Sequence, residues 1–139
     1  MSTPPDNISL NKAAIIERSL RRMQEEYQAN PDLDNYTHID ALTLNIERAC
    51  QAAIDLAMHI VARERLGMPQ SSTEAFRLLH DAKMIDADTL RAMAAMTGFR
   101  NVAIHEYQRM DMSVLHDIAQ SRWTSLVDYC QSLGLKVKP

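Results

Sequence analysis

Residues 37–66 read THIDALTLNIERACQAAIDLAMHIVARERL, and the spacing of their apolar positions decides the fold class. Ile39, Leu42, Ile46, Ala49, Ala53, Leu56, Ala57 and Ile60 follow the period of one helix face, whereas a half-buried strand would alternate at every second residue. Gly67 and Pro69 close the run. About 30 residues at 1.5 Å rise make a rod of roughly 45 Å, longer than a small bundle requires for its own core. The segment is therefore expected to be a scaffold helix that also meets another subunit. His38, Asn45, Arg48, His59 and Arg63 fall among its polar positions and read as surface or helix-end groups.

On the N-terminal side, the loop Asn30 to Tyr36 separates this rod from a first helix that runs to about Ala29. Asn7 or Ser9 is its expected cap, Ile8, Ile16, Leu20, Met23 and Tyr27 form its apolar stripe, and Pro31 lies just beyond it. Arg18, Arg21 and Arg22 sit close together on another face, which reads either as a solvated surface or as a contact for an RNA backbone or an acidic partner. On the C-terminal side, Ser71-Ser72-Thr73-Glu74 matches a capping box and opens a short helix to about Ala82, with Phe76 and Leu79 inward. Asp86 or Asp88 caps a fourth helix. Asp111 caps a fifth, from Met112 to about Leu133, whose apolar positions are Val114, Leu115, Ile118, Trp123, Leu126, Val127 and Cys130, and Gly134 is its stop. Residues 1–6 and 136–139 are expected to be flexible tails. The expectation is an all-α, single-domain up-and-down bundle of about five helices spanning 1–139, with no sheet.

Composition agrees with that class. With Gly at 3, Pro at 5 and aromatics at 5% of 139 residues, turn formers and strand-favouring rings are scarce. The formal net charge is −3, so no global basic field draws in nucleic acid, and RNA binding would rest on a local cluster of Arg and Lys. Cys50 and Cys130 lie far apart inside apolar patterns and read as reduced core thiols. The opening MSTPPDNISLNK has no basic start followed by an apolar run, and no segment approaches the ~20 apolar residues of a membrane span. A soluble, cytoplasmic protein with no membrane association is expected.

The chemistry concentrates in Gly98-Phe99-Arg100-Asn101-Val102-Ala103-Ile104-His105-Glu106-Tyr107. An arginine pairs with a phosphate through its planar fork, an imidazole moves protons near neutrality, and an amide orients either one. Projected on a helix, Leu90, Met93, Met96, Phe99, Val102, Ala103 and Ile104 cover most of the circumference, the pattern of a largely buried helix. One narrow sector escapes, with Thr97, Asn101 and His105 beside the small Ala94 and Gly98. Arg100 and Tyr107 share a different face. Arg100 and His105 come out roughly 140° apart. One straight helix does not aim both at a single phosphate, so the backbone breaks, or Arg100 wraps around, or a second copy completes the site. A purely structural reading also stands, in which Arg100 pairs with a helix-end carboxylate such as Asp111 and His105 is a core histidine.

Arg-x4-His followed by x-Tyr, within the string RNVAIHEY, resembles the signature of HepT-type toxins of the HEPN superfamily, small helical ribonucleases encoded beside a minimal nucleotidyltransferase antitoxin. The resemblance implies a two-fold homodimer with paired motifs in one cleft, and the toxin role in a type VII-like toxin–antitoxin system. It implies metal-independent endoribonuclease chemistry on an RNA substrate. His105 would act as general base or acid, Arg100 would neutralise phosphate charge, and Asn101 would hold the phosphate or fix the His105 tautomer. Tyr107 resembles the acceptor of adenylyl groups, whose negative charge beside Arg100 would switch the toxin off. No cofactor is expected, since no metal-binding string occurs in the sequence. Two other classes are compatible with the residues: a non-catalytic helical subunit that serves a nucleotidyltransferase, and a structural adaptor using its 9 methionines as an adaptable surface.

Overall fold

The computed structural model describes residues 4–139, and among them every regular element is helical. Helix α1 spans Asn7–Ala29 and α2 spans Tyr36–Arg63. Helix α3 spans Ser72–Asp81 and α4 spans Ala87–His105. A 3-10 turn at Tyr107–Arg109 leads to α5, Met112–Asp117. A π turn at Ile118–Arg122 then joins α5 to α6, Thr124–Ser132. The expected fifth helix is thus two helices, with the Trp123 amide reaching back five residues to the Ile118 carbonyl at 3.1 Å.

Side-chain caps start α1 to α5, and α6 has none. Ser71, Asp86 and Asp111 accept from the amides of Glu74, Thr89 and Ser113 at 3.1, 2.8 and 2.9 Å, as their sequence context predicts. At α1 the cap is Asp6, which accepts from Ser9 N at 2.7 Å, so neither Asn7 nor Ser9 caps it. The stripe is also shifted: Ile8 is exposed, and Ser9, Ala13, Ile16, Leu20 and Met23 face inward.

Three helices stop in the same way. Leu66, Met84 and Leu135 donate their amides to the carbonyls of Val61, Leu79 and Cys130, each at 2.9 Å, across a residue of positive φ. This closure satisfies end carbonyls and folds an apolar side chain back onto the bundle. Gly134 takes that position after α6 with φ 79°, while Arg65 (54°) and Lys83 (63°) take it after α2 and α3. The first of these ends the rod at Arg63, before the Gly67 and Pro69 stop expected for it.

Helix α1 lies along α2, and α4 packs against α2, α3 and α6. One contiguous apolar cluster joins them, from Ile16 and Leu20 through Leu42, Ile46 and Leu56 to Met93, Phe99 and Tyr129. The ends of the described chain are held. Asp6 accepts from His59 Nε2 at 2.7 Å and Arg63 Nη1 at 3.2 Å. Val137 is 3% exposed, and Lys138 N donates to Glu17 Oε1 at 2.8 Å. These contacts fall within the stretches 1–6 and 136–139 expected as tails; residues 1–3 lie outside the described residues.

Candidate active site at the end of helix α4

Helix α4 stays helical through His105, so the angular separation of Arg100 and His105 stands. Arg100 is half-buried and its positive charge reaches Glu47 and Cys50 on α2. Its Nη1 donates to Asn101 Oδ1 at 3.0 Å, while its buried Nε has no hydrogen-bond partner. Asp111, the carboxylate considered for it, caps α5 through Ser113. Asn101 thus meets Arg100, and its exposed side chain shares a face with exposed His105, one turn on. Gly98 lies beside them, and a Cβ built there would meet nothing within 4 Å.

Two members of the expected sectors exchange places. Thr97, expected in the open sector, is buried and donates to the Met93 carbonyl at 2.9 Å. Ile104, expected inside, is 45% exposed. The helix ends one residue later, where Glu106 takes φ −138° and ψ 44°. Tyr107 therefore does not continue the Arg100 face. The 3-10 turn carries its phenol to α2, where it donates to Asp40 Oδ1. Residues 104–109 line an open cleft of about 420 Å³.

Three other polar groups of α2 tie it to α1 and its cap: His38 meets Glu26 at 2.6 Å, and His59 and Arg63 meet Asp6, whereas Asn45 bonds within α2, donating to Ala41 O at 2.9 Å. Arg18, Arg21 and Arg22 are exposed on α1, with Arg21 3.5 Å from Glu17. Among the described residues, no group of three or more His, Cys, Asp or Glu side chains is arranged to hold a metal ion. Among the described residues no helix is long and apolar enough to cross a membrane.

The family described as Ribonuclease HepT-like matches residues 11–133. The chain belongs to this family. The mRNA nuclease HepT of Shewanella oneidensis is 34% identical over 116 residues, 83% of this chain and 87% of that protein. The tRNA nuclease HepT of Aphanizomenon flos-aquae is 31% identical over 86 residues, 59% of this chain and 58% of that protein. The tri-AMPylated HEPN toxin of Shewanella oneidensis, solved in complex with MNT antitoxin, has a TM-score of 0.89 at 30% identity, covering 94% of this chain and 98% of its own. A toxin–antitoxin structure with AMP-PNP gives 0.88 at 30%, covering 93% and 99%.

In this HepT-like chain the electrostatics come from α2. Partial burial pushes the Glu47 carboxyl above its ordinary range, and the nearby Arg100 charge opposes that rise. Burial, followed by the hydrogen bond to Asp40 and the Asp40 and Glu47 charges, pushes the Tyr107 phenol up to about 12. Burial raises the Cys50 and Cys130 thiols to about 12 as well, leaving them inert. Sequence reasoning about α4 missed Asp40 and Glu47. Their signal was two carboxylates seven residues apart on one face of the rod.

Proposed function

We propose that this chain is the ribonuclease toxin of a toxin–antitoxin pair, cleaving RNA without a metal ion as a two-fold homodimer. Membership of the HepT-like family and the nuclease activity named for its relatives support the class of reaction. The observation that carries the mechanism is the pairing of exposed His105 with a guanidinium whose Nε is unpartnered, on different faces of one helix end. His105 takes the proton of the ribose 2′-hydroxyl or gives one to the leaving oxygen. Arg100, steadied by Asn101, stabilises the charge that builds on the phosphate. Since one helix does not aim both groups at one phosphate, a second copy completes the cleft. The open face at Gly98, shared with exposed Asn101 and His105, is the surface on which that copy fits. Arg18, Arg21 and Arg22 serve as backbone contacts for the RNA, which acts locally despite the net negative charge.

Tyr107, 42% exposed and lining the open cleft, accepts adenylyl groups from a cognate minimal nucleotidyltransferase antitoxin. The added phosphate carries negative charge to the side of the site where RNA phosphate binds. Asp40 and Glu47 already make that side acidic apart from Arg100.

The test is purified, unmodified protein on total RNA with EDTA present. Cleavage that leaves 2′,3′-cyclic phosphate ends is expected. No cleavage, or cleavage that stops on chelation, overturns the mechanism. Co-expression with the neighbouring nucleotidyltransferase is expected to raise the intact mass by adenylyl units, and Tyr107→Phe to prevent the rise; an unchanged mass, or modification kept in the variant, overturns the acceptor assignment.

A further inference from the structure

A neutral phenol attacks phosphorus poorly, and its anion is the competent nucleophile. Tyr107 is held in its neutral form, with its phenol raised to about 12, so its phenolate is scarce at neutral pH. Its proton therefore leaves during the bond-forming step. A base for that step must lie within hydrogen-bond reach of the proton. Asp40 meets the requirement, because the Tyr107 hydroxyl already donates to its Oδ1. Glu47 influences Tyr107 through its charge but does not bond it, and the bond recorded for Asn101 is to Arg100. Asp40 sits in the second turn of α2 and is exposed, so a proton received there passes on to solvent.

We propose that Asp40 is the general base for adenylylation of Tyr107. The inference rests on Tyr107 being the acceptor and adds the group that activates it. The Tyr107 oxygen attacks the α-phosphorus of ATP, and the bond from that phosphorus to the oxygen bridging to the β-phosphorus breaks. Diphosphate leaves, and the phenolic proton moves to the Asp40 carboxylate. No electron is gained or lost. The modified oxygen has no proton to donate, so its bond to Asp40 is lost in the product. The like charges of Asp40, Glu47 and the new phosphodiester then oppose return of the side chain to α2.

The experiment is a steady-state time course of intact mass, with the full chain, its cognate nucleotidyltransferase and ATP. Asp40→Asn keeps the size of the side chain and an oxygen that accepts the hydroxyl, but it does not take up the proton. It is expected to lower kcat for modification by ~10²-fold or more with little change in KM for the chain, as removal of a general base does. Asp40→Glu is expected to restore much of the rate, and circular dichroism to show the parent helical content in both variants. An undiminished kcat in Asp40→Asn, or a loss confined to KM, overturns the inference while leaving Tyr107 as acceptor. A wild-type chain that gains no mass overturns the acceptor reading and this inference with it.

Discussion

Replacing His105 by alanine separates chemistry from folding more cleanly than other changes at this site. His105 is exposed in the last position of α4, and no hydrogen bond or ion pair joins its side chain to another described residue. A surface change of this kind is worth about 0.5 kcal/mol or less. Against a total stability of roughly 5–15 kcal/mol the folded fraction does not change measurably. Removing a proton-transfer group, by contrast, costs ~10²–10⁴-fold in rate, or about 3–5 kcal/mol at 1.36 kcal/mol per decade. Lost activity in His105→Ala is therefore assignable to chemistry. Arg100→Ala is expected to lose as much activity but also to melt lower, because Glu47 loses the cation that offsets its burial. The assay is initial cleavage rate on total RNA in EDTA beside thermal melts of the same preparations. A His105→Ala protein that cuts at the parental rate refutes the assignment, as does one whose melting temperature falls by as much as that of Arg100→Ala.

Three further outcomes follow from the packing. Hydrogen bonds, the Ser9 amide's foremost, hold Asp6 well below the ordinary carboxylate range, so its stabilisation is present above the unfolded value of about 3.9 and is lost as pH falls beneath it. Asp6→Asn is expected to melt lower at neutral pH and to lose stability less steeply on acidification; a melting curve parallel to the parent at every pH contradicts this. Tyr129 is fully buried, donates to the Ala53 carbonyl at 2.9 Å and meets Phe76 edge-on with centroids 5.5 Å apart. Tyr129→Phe keeps the ring and is expected to cost about 1 kcal/mol by chemical denaturation, and a loss near zero would mean that the hydroxyl contributes nothing. Gly98→Gln places a long side chain where nothing within 4 Å opposes its Cβ. Light scattering is expected to show a dimeric parent and a monomeric variant with helical content retained, while a variant as dimeric as the parent moves the proposed interface elsewhere.

The parts of the fold legible in the sequence were those written in local side-chain chemistry. Ser71, Asp86 and Asp111 announce helix starts because their oxygens satisfy amides two or three residues on. Gly134 announces a stop because glycine takes positive φ without strain. Arg65 and Lys83 make the same closure, but a left-handed basic residue leaves no mark in composition, so the end of α2 was read too late. The π turn at Ile118–Arg122 was invisible for a similar reason, since the apolar spacing from Leu115 to Cys130 reads as one continuous face. Asp6 was missed as a cap because two prolines before it suggested a loose end, while its partners His59 and Arg63 lie on another helix. At the candidate site, Arg100, Asn101 and His105 stand out in the sequence by residue type and spacing, but the Tyr107–Asp40 bond spans 67 residues and depends on where α4 stops.

That stopping point gives the helix end its division of labour. Had α4 continued past His105, Tyr107 would have shared a face with Arg100, and the proposed modification would have fallen beside the guanidinium. The break at Glu106 instead turns the phenol onto α2, against Asp40 and within the influence of Glu47. Glu47 also feels Arg100, so the charge of one carboxylate acts on both Tyr107, the proposed acceptor, and Arg100, the proposed phosphate contact. In the proposed mechanism, an adenylyl phosphate displaced from the acidic side by Asp40 and Glu47 finds Arg100 as a cation in that neighbourhood. It then competes with RNA phosphate for Arg100, while His105, on its own face, keeps its proton chemistry. Inhibition by modification should accordingly appear as weakened RNA binding, which filter binding with a 2′-deoxy substrate analogue reads directly. Equal affinity of the modified and unmodified chains for that analogue would mean that the adenylyl group acts on His105 instead.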